Sequence, residues 1–246
     1  MKKLIWAFSL LILQFGSLAL AQTPPFICQL SISSPSGSSS LCNAVHIGKG
    51  RLLSASHCFP EGKKTIQSGI ILATCGNEEF MEFSNLKRSP EAAKGVVGED
   101  IALLEFSAPI NADWVVPTAY PAMYFDGPKI KSTVDCEVLS LRGDYPSKRL
   151  RRFKIDQNMD LRMLSNSSSL PSQLVMTFKS RAAFEESTSV REGDSGGALV
   201  CRAYKTARPE LVGIIMTYGT DRVTKKIMQN TFSPVFGPEA GKLLNK

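Results

Sequence analysis

The sequence predicts an all-β fold, a sandwich or barrel, with one short helix at its C-terminus. Three observations predict it. Short runs of aliphatic, β-branched and aromatic residues recur along the chain, separated by turn clusters such as Ser34-Pro35-Ser36-Gly37 and Arg142-Gly143-Asp144-Tyr145-Pro146. Little of the chain carries the apolar period of a helix. The composition, 43% hydrophobic and 21% charged over 246 residues, is that of a folded protein rather than a disordered or collagen-like one. A chain this long can bury one large core or two modest ones.

The first segment reads as an export signal rather than part of the fold. Lys2 and Lys3 precede the apolar stretch from Leu4 to Leu13, and Ala19-Leu20-Ala21 fits the small-residue cleavage rule, so residues 1–21 are expected to be removed before Gln22. A retained anchor is the competing reading; the short apolar stretch and the well-formed cleavage site count against it. The Met-Lys-Lys start has a bacterial look. Beyond the leader no apolar run is long enough to span a membrane. The net charge of +7, two lysines of which leave with the leader, is mild and interspersed, which favours solubility over nucleic-acid binding.

Strands are then expected over Phe26–Ile32, Ala44–Ile47, Leu52–Ala55, Ile70–Ala73 and Ile101–Phe106, and in the second half over Val134–Leu141, Leu174–Phe178, Ala198–Ala203 and Leu211–Thr217. Between Ser107 and Pro128, four prolines (109, 117, 121 and 128) separate two strand-rich halves. This stretch reads as a crossover between two β-domains, residues 22–120 and 121–246. Pro238–Leu244 is the helix, since proline suits a first helical turn. Six cysteines (28, 42, 58, 75, 136 and 201) in an exported chain point to disulfides, although spacing alone does not choose the pairing. Zinc is disfavoured, because no C-x-x-C pair exists and the chain has 2 histidines.

Three segments carry chemistry. In Gly193-Asp194-Ser195-Gly196-Gly197, glycines flank a serine and let the backbone turn sharply, aiming N–H groups at one point where an oxyanion could form. The same residues satisfy the G-x-S-x-G elbow of α/β-hydrolases, but those enzymes place a histidine after the serine, and none follows Ser195. The base must lie upstream. His57, at the end of Leu52-Leu53-Ser54-Ala55-Ser56-His57-Cys58, is the candidate, ahead of His46, which lacks comparable flanks. Asp100 opens the apolar strand Ile101-Ala102-Leu103-Leu104, where a carboxylate needs a partner to be buried. Glu99 would face the other side of the strand.

Together these segments resemble the trypsin/chymotrypsin family of serine proteases, whose motifs Ala-Ala-His-Cys, Asp-Ile-Ala-Leu and Gly-Asp-Ser-Gly-Gly stand in the same order. The resemblance runs from about Pro25 to Phe236. It implies two six-stranded antiparallel Greek-key β-barrels with the site in the cleft between them, His57 and Asp100 from the first and Ser195 from the second. His57 would be the general base, Asp100 its orienter and Ser195 the nucleophile, with the N–H groups of Gly193 and Ser195 as the oxyanion hole. The implied activity is peptide-bond hydrolysis through an acyl-enzyme, without metal or cofactor. The implied partners are protein or peptide substrates and a protein inhibitor, in a secreted or periplasmic location. Cys42 pairs with Cys58 and Cys136 with Cys201 by the same resemblance, which leaves Cys28 and Cys75 for each other.

The chain also departs from the family. The family's activation cut exposes an Ile-Val-Gly-Gly-like terminus whose ammonium meets the aspartate before the catalytic serine, and no such motif occurs here. Asp194 is therefore expected to take another cationic or hydrogen-bonding partner, with Arg191 the candidate. In the specificity pocket, Ser189 stands where trypsin-like members carry aspartate. Thr217, Gly219 and Asn230 are the other pocket candidates, with Thr217 in place of a serine that supports the triad aspartate. An uncharged residue before the cut is expected. Lys148-Arg149-Leu150-Arg151-Arg152-Phe153-Lys154 reads as a solvated loop in preference to an anion-binding patch, and Asn166-Ser167-Ser168 matches a glycosylation acceptor without force in a bacterial chain. The rival functions are a catalytically silent or latent protein that binds other proteins with the same fold, and an exported esterase.

Overall fold

The apolar runs pair into two antiparallel sheets. The computed structural model describes residues 26–33, 37, 39–59, 70–76, 78–80, 83–89, 100–107, 118, 124–143, 148–164, 173–179, 189–204, 207–220, 227–236 and 238–244. The expected leader, Glu99, most of the proline-bearing crossover and Asn166-Ser167-Ser168 lie outside them.

The first sheet holds β1 (Ile27–Ser33), β2 (Ser39–Gly48), β3 (Arg51–Ala55), β4 (Ile70–Cys75), β5 (Glu78–Phe80), β6 (Phe83–Arg88) and β7 (Ile101–Phe106), in the order β5-β4-β1-β2-β3-β7-β6. The second holds β8 (Phe125–Asp126), β9 (Lys129–Ile130), β10 (Asp135–Arg142), β11 (Arg149–Lys154), β12 (Met159–Leu164), β13 (Gln173–Phe178), β14 (Ala198–Arg202), β15 (Glu210–Thr220) and β16 (Ile227–Pro234). Its order is β11-β10-β14-β15-β16-β13-β12-β9-β8. Helix α1 (Pro238–Leu244) follows and buries Ala240 and Leu243 in the first core. The two-barrel, all-β expectation holds, with one short C-terminal helix among the described residues, while the expected six strands in each unit are corrected to seven and nine, short hairpin strands such as β8 and β9 being counted among them.

The strands that the sequence made legible are those buried on both faces. In β10, Leu139 and Leu141 enter the first core while Cys136 and Val138 enter the second. β14 divides likewise, Ala198 and Val200 to one core and Leu199 and Cys201 to the other. Period-2 alternation between two apolar environments produces an unbroken apolar run. The run from Lys148 to Lys154 is corrected: its residues from Arg149 form β11, paired to β10, rather than a solvated loop. Phe153 is buried there, and Arg152 forms a two-pronged pair with Glu137, which is itself buried. Opposite charges on the partner strand allow a basic segment to lie on a sheet.

Three disulfides fix the strands that carry the site. Cys28–Cys75 joins β1 to β4, Cys136–Cys201 joins β10 to β14, and Cys42–Cys58 joins β2 to the turn after β3. All three pairings are those the resemblance and elimination implied.

Candidate active site

Strand β3 ends in a single 3-10 turn, Ser56–Cys58, which buries Ser56 and Cys58 and turns His57 outward. The turn is pinned at both ends. The Cys58 bridge holds one side, and on the other the Ser56 N–H donates to the Asp100 carbonyl (3.2 Å) as β3 pairs with β7. Asp100 at the mouth of β7 therefore lies under the ring. One carboxylate oxygen accepts the His57 backbone N–H (2.9 Å), and the other accepts from His57 Nδ1. A carboxylate can only accept, so Nδ1 carries the proton of the neutral ring and Nε2 is left as an acceptor. Nε2 lies 2.9 Å from Ser195 Oγ. The Asp100 side chain is 11% exposed and that of His57 is 47% exposed, so the buried acid faces the protein and the ring faces the cleft.

Ser195 sits in a turn built for close approach. Gly193 and Gly196 take φ of +86° and +82°, a region that side chains with a Cβ rarely enter. A Cβ on Gly196 would also lie 1.9 Å from the Asn43 carbonyl oxygen, so glycine is required there twice over. Asn43 ties the turn to the first sheet: its N–H donates to the Ser195 carbonyl (2.7 Å) and its Nδ2 donates to the Gly193 carbonyl (2.9 Å). Its Oδ1 accepts the Leu141 N–H (2.7 Å), so one buried amide joins β2, β10 and the serine turn. Among the described residues, no hydrogen bond occupies the N–H groups of Gly193 or Ser195.

A cleft of about 160 Å³ opens beside these groups, lined by His57, Gly193 and Ser195 together with Val190, Arg191, Glu192, Met216 and Thr217. Of the four pocket candidates, Thr217 lines this cleft. Asn230 is fully buried and accepts the Val190 N–H (3.1 Å), bracing the wall from behind. Ser189 is fully buried beside Val190, and Gly219 lies farther along β15 against Gln229. Thr217 is exposed, and the serine that reaches Asp100 is Ser233, whose Oγ accepts the Asp100 N–H (2.9 Å). His46 is fully buried in β2, opposite Leu52 and away from the cleft.

Arg191 is a partner of Asp194 through its backbone, and two further residues supply the charge. Arg191 contributes its backbone N–H (2.8 Å), while the charged partners are Arg142 and Arg151. The sequence reading missed these two, together with Asn43, Ser140 and Ser233. Asn43 left one signal, a polar residue inside an apolar strand next to Cys42. The arginines left none, because their turn towards Asp194 depends on pairing between β10 and β11.

Two antiparallel sheets that bring a serine, an imidazole and a carboxylate into one hydrogen-bonded chain define the class of Ser-His-Asp proteins. The family model described as Trypsin matches residues 15–235, and the chain belongs to this family of trypsin-like serine proteases. It is 26% identical over 207 residues to Trypsin-4 of Rattus norvegicus, a match that covers 78% of this chain and 75% of that one. No helix among the described residues is long and apolar enough to cross a membrane.

Proposed function

We propose that the protein is an exported serine endopeptidase, of bacterial type, that hydrolyses peptide bonds through an acyl-enzyme on Ser195. The observation that carries this reading is the alignment of Asp100, His57 and Ser195, with Nε2 of the ring 2.9 Å from the serine hydroxyl. As Ser195 Oγ bonds to the substrate carbonyl carbon, His57 Nε2 takes the hydroxyl proton, and Asp100 stabilises the resulting imidazolium. The negative oxygen is held by the N–H groups of Gly193 and Ser195, which no acceptor among the described residues occupies. Breakage of the C–N bond sends the His57 proton to the leaving amine. Water then adds to the acyl carbon, giving its proton to His57, and the serine leaves with that proton restored.

Protein and peptide substrates fit family membership, and the chain is assigned a leader at 1–21 and two domains, 22–120 and 121–246. Export agrees with the three disulfides, which survive in oxidising compartments. Val190, Met216 and Thr217 bring uncharged side chains to the cleft, which Arg191 and Glu192 also line with opposite charges, and Ser189 stands where trypsin-like members carry aspartate, so cleavage is expected after uncharged residues. A peptide library cut mainly after Lys or Arg would overturn that preference. The activity is tested with a fluorophosphonate probe together with matched peptide and ester substrates. Labelling and peptide hydrolysis are expected in the wild type and absent in Ser195→Ala and His57→Ala. An unlabelled wild type points instead to a silent binding protein, and turnover of esters alone to an esterase.

A further inference from the structure

The Asp194 carboxylate is 1% exposed and lies immediately before the proposed nucleophile. One of its oxygens accepts from Ser140 Oγ (2.7 Å) and Arg142 Nε (2.7 Å). The other accepts from Arg142 Nη2 (2.8 Å), Arg151 Nη1 (2.6 Å) and the Arg191 N–H (2.8 Å). A carboxylate offers about four lone-pair sites, so these donors use its full capacity. The three side chains come from one face of one hairpin. Ser140 and Arg142 are two residues apart on β10, and Arg151 on β11 is the register partner of Ser140.

We propose that Arg142 and Arg151 are positioning residues that preset the turn from Arg191 to Gly197 through Asp194, so that the serine and the amides beside it are competent without any further cation arriving at this carboxylate. The inference rests on the serine-hydrolase reading above. At its far end the turn is held to β15, where Gly196 N–H donates to the Ile215 carbonyl (2.9 Å) and Ile215 N–H to the Gly197 carbonyl (2.8 Å). Nearer its start, Asp194 N–H returns to the Arg191 carbonyl (3.0 Å) and Gly197 N–H to the Asp194 carbonyl (3.0 Å), both within the turn, so the Asp194 side chain is what ties this half of the loop to the β10–β11 hairpin. Asn43 holds the opposite side from the first sheet. With the turn gripped from both sheets, the left-handed backbone at Gly193 and Gly196 is fixed, and with it the direction of the Gly193 N–H. The arrangement is reciprocal. Arg151 loses hydration by burial and is repelled by Arg142, both of which push its ionisation down, and Asp194 is the anion that opposes them. Losing the carboxylate would leave two adjacent cations, and losing the cations would leave a buried anion, which is strongly unfavourable.

The experiment measures fluorophosphonate labelling rate, kcat and KM in the full chain for Arg142→Gln, Arg151→Gln and their combination. Each single variant is expected to slow labelling and kcat by about 10-fold and the pair by about 100-fold, the scale of losing one oxyanion donor, with KM little changed. Arg151→Lys, which keeps the charge, is expected to recover part of the loss and serves where a glutamine variant fails to fold. In an Asp194→Asn background the arginine changes should add nothing further, since they act through that carboxylate. Extending the amino terminus with a peptide tag should leave the rate unchanged. Wild-type labelling in the double variant, a loss carried by KM alone, or a loss on tagging would each overturn the inference. Amide hydrogen exchange of residues 192–197 separates its failure from that of the activity. If the wild type does not label, faster exchange in the double variant still supports the clamp, and unchanged exchange sinks it.

Discussion

At the residue scale, the site depends on groups whose worth lies in what they prevent. Asp100 fixes the imidazole tautomer by accepting from Nδ1, and its other oxygen holds the His57 backbone. Asp100→Asn would present an amide N–H to the ring and favour the wrong tautomer. The expected loss is about 10⁴-fold in kcat with the fold retained, a magnitude that belongs to the Ser-His-Asp template of this family. Steady-state kinetics beside a circular dichroism melt would check it. Asn43→Ala would leave the Leu141 N–H and the Gly193 carbonyl without this partner inside the protein. At about 1–3 kcal/mol for each stranded group, the expected destabilisation is about 3 kcal/mol, read from the shift in urea midpoint. Gly196→Ala should be worse, since its Cβ meets backbone as well as a forbidden φ, and no soluble folded product is expected on expression.

At the element scale, pairing between strands rich in charge is set by specific partners as well as by apolar burial, which Phe153, Met159 and Leu161 supply here. β11 and β12 have exposed arginines and lie on the sheet through register with β10 and β13. Glu137 shows the balance. Burial alone would raise its pKa, but Arg152, Arg202 and Lys154 more than offset this and hold it below the usual carboxylate range. The segment before β8 is tied to β15 differently: the Tyr124 hydroxyl donates to Glu210 (2.6 Å). Burial first, then this bond and the Glu210 charge, push the phenol above its ordinary 10.0. The unfolded chain therefore ionises at lower pH than the folded one. The stabilisation is present below about pH 10 and declines above it. Tyr124→Phe should cost about 1–2 kcal/mol at neutral pH and flatten the fall in stability above pH 10, as measured by urea unfolding across that range.

At the scale of the whole molecule, the two sheets share an interface rather than merely adjoin. The first core continues into Leu139, Leu141, Ala198 and Ile214 of the second sheet, and the serine turn is clasped between Asn43 on one side and the β10–β11 hairpin on the other. The bridges close loops of unequal length, with partners 65 residues apart for Cys136–Cys201, 47 for Cys28–Cys75 and 16 for Cys42–Cys58. In the chain-entropy account, replacing both cysteines of the first pair by serine should cost about 4 kcal/mol and of the last about 3 kcal/mol. Thermal melts of the paired variants would rank them. The short bridge should nonetheless affect labelling most, because it holds the turn that carries His57.

The sequence by itself determined the all-β class, most of the doubly buried strands, though not β16 with its polar Asn230, Thr231 and Ser233, and the order His57, Asp100, Ser195. Each of these is written locally, in apolar runs, in small residues around a nucleophile, and in an acid at the start of a core strand. β11 stayed illegible because its charges are neutralised by residues distant in the chain, so the segment alone reads as solvated. Asn43, Ser233, Arg142 and Arg151 stayed illegible for the same reason, since hydrogen bonds between strands depend on register and on which faces meet. Only the tertiary structure decided that Asp194 is bound by two arginines of one hairpin, and that the ring of His57 reaches the hydroxyl of Ser195. A buried carboxylate must find opposite charge somewhere, but only packing selects which cation lies within reach.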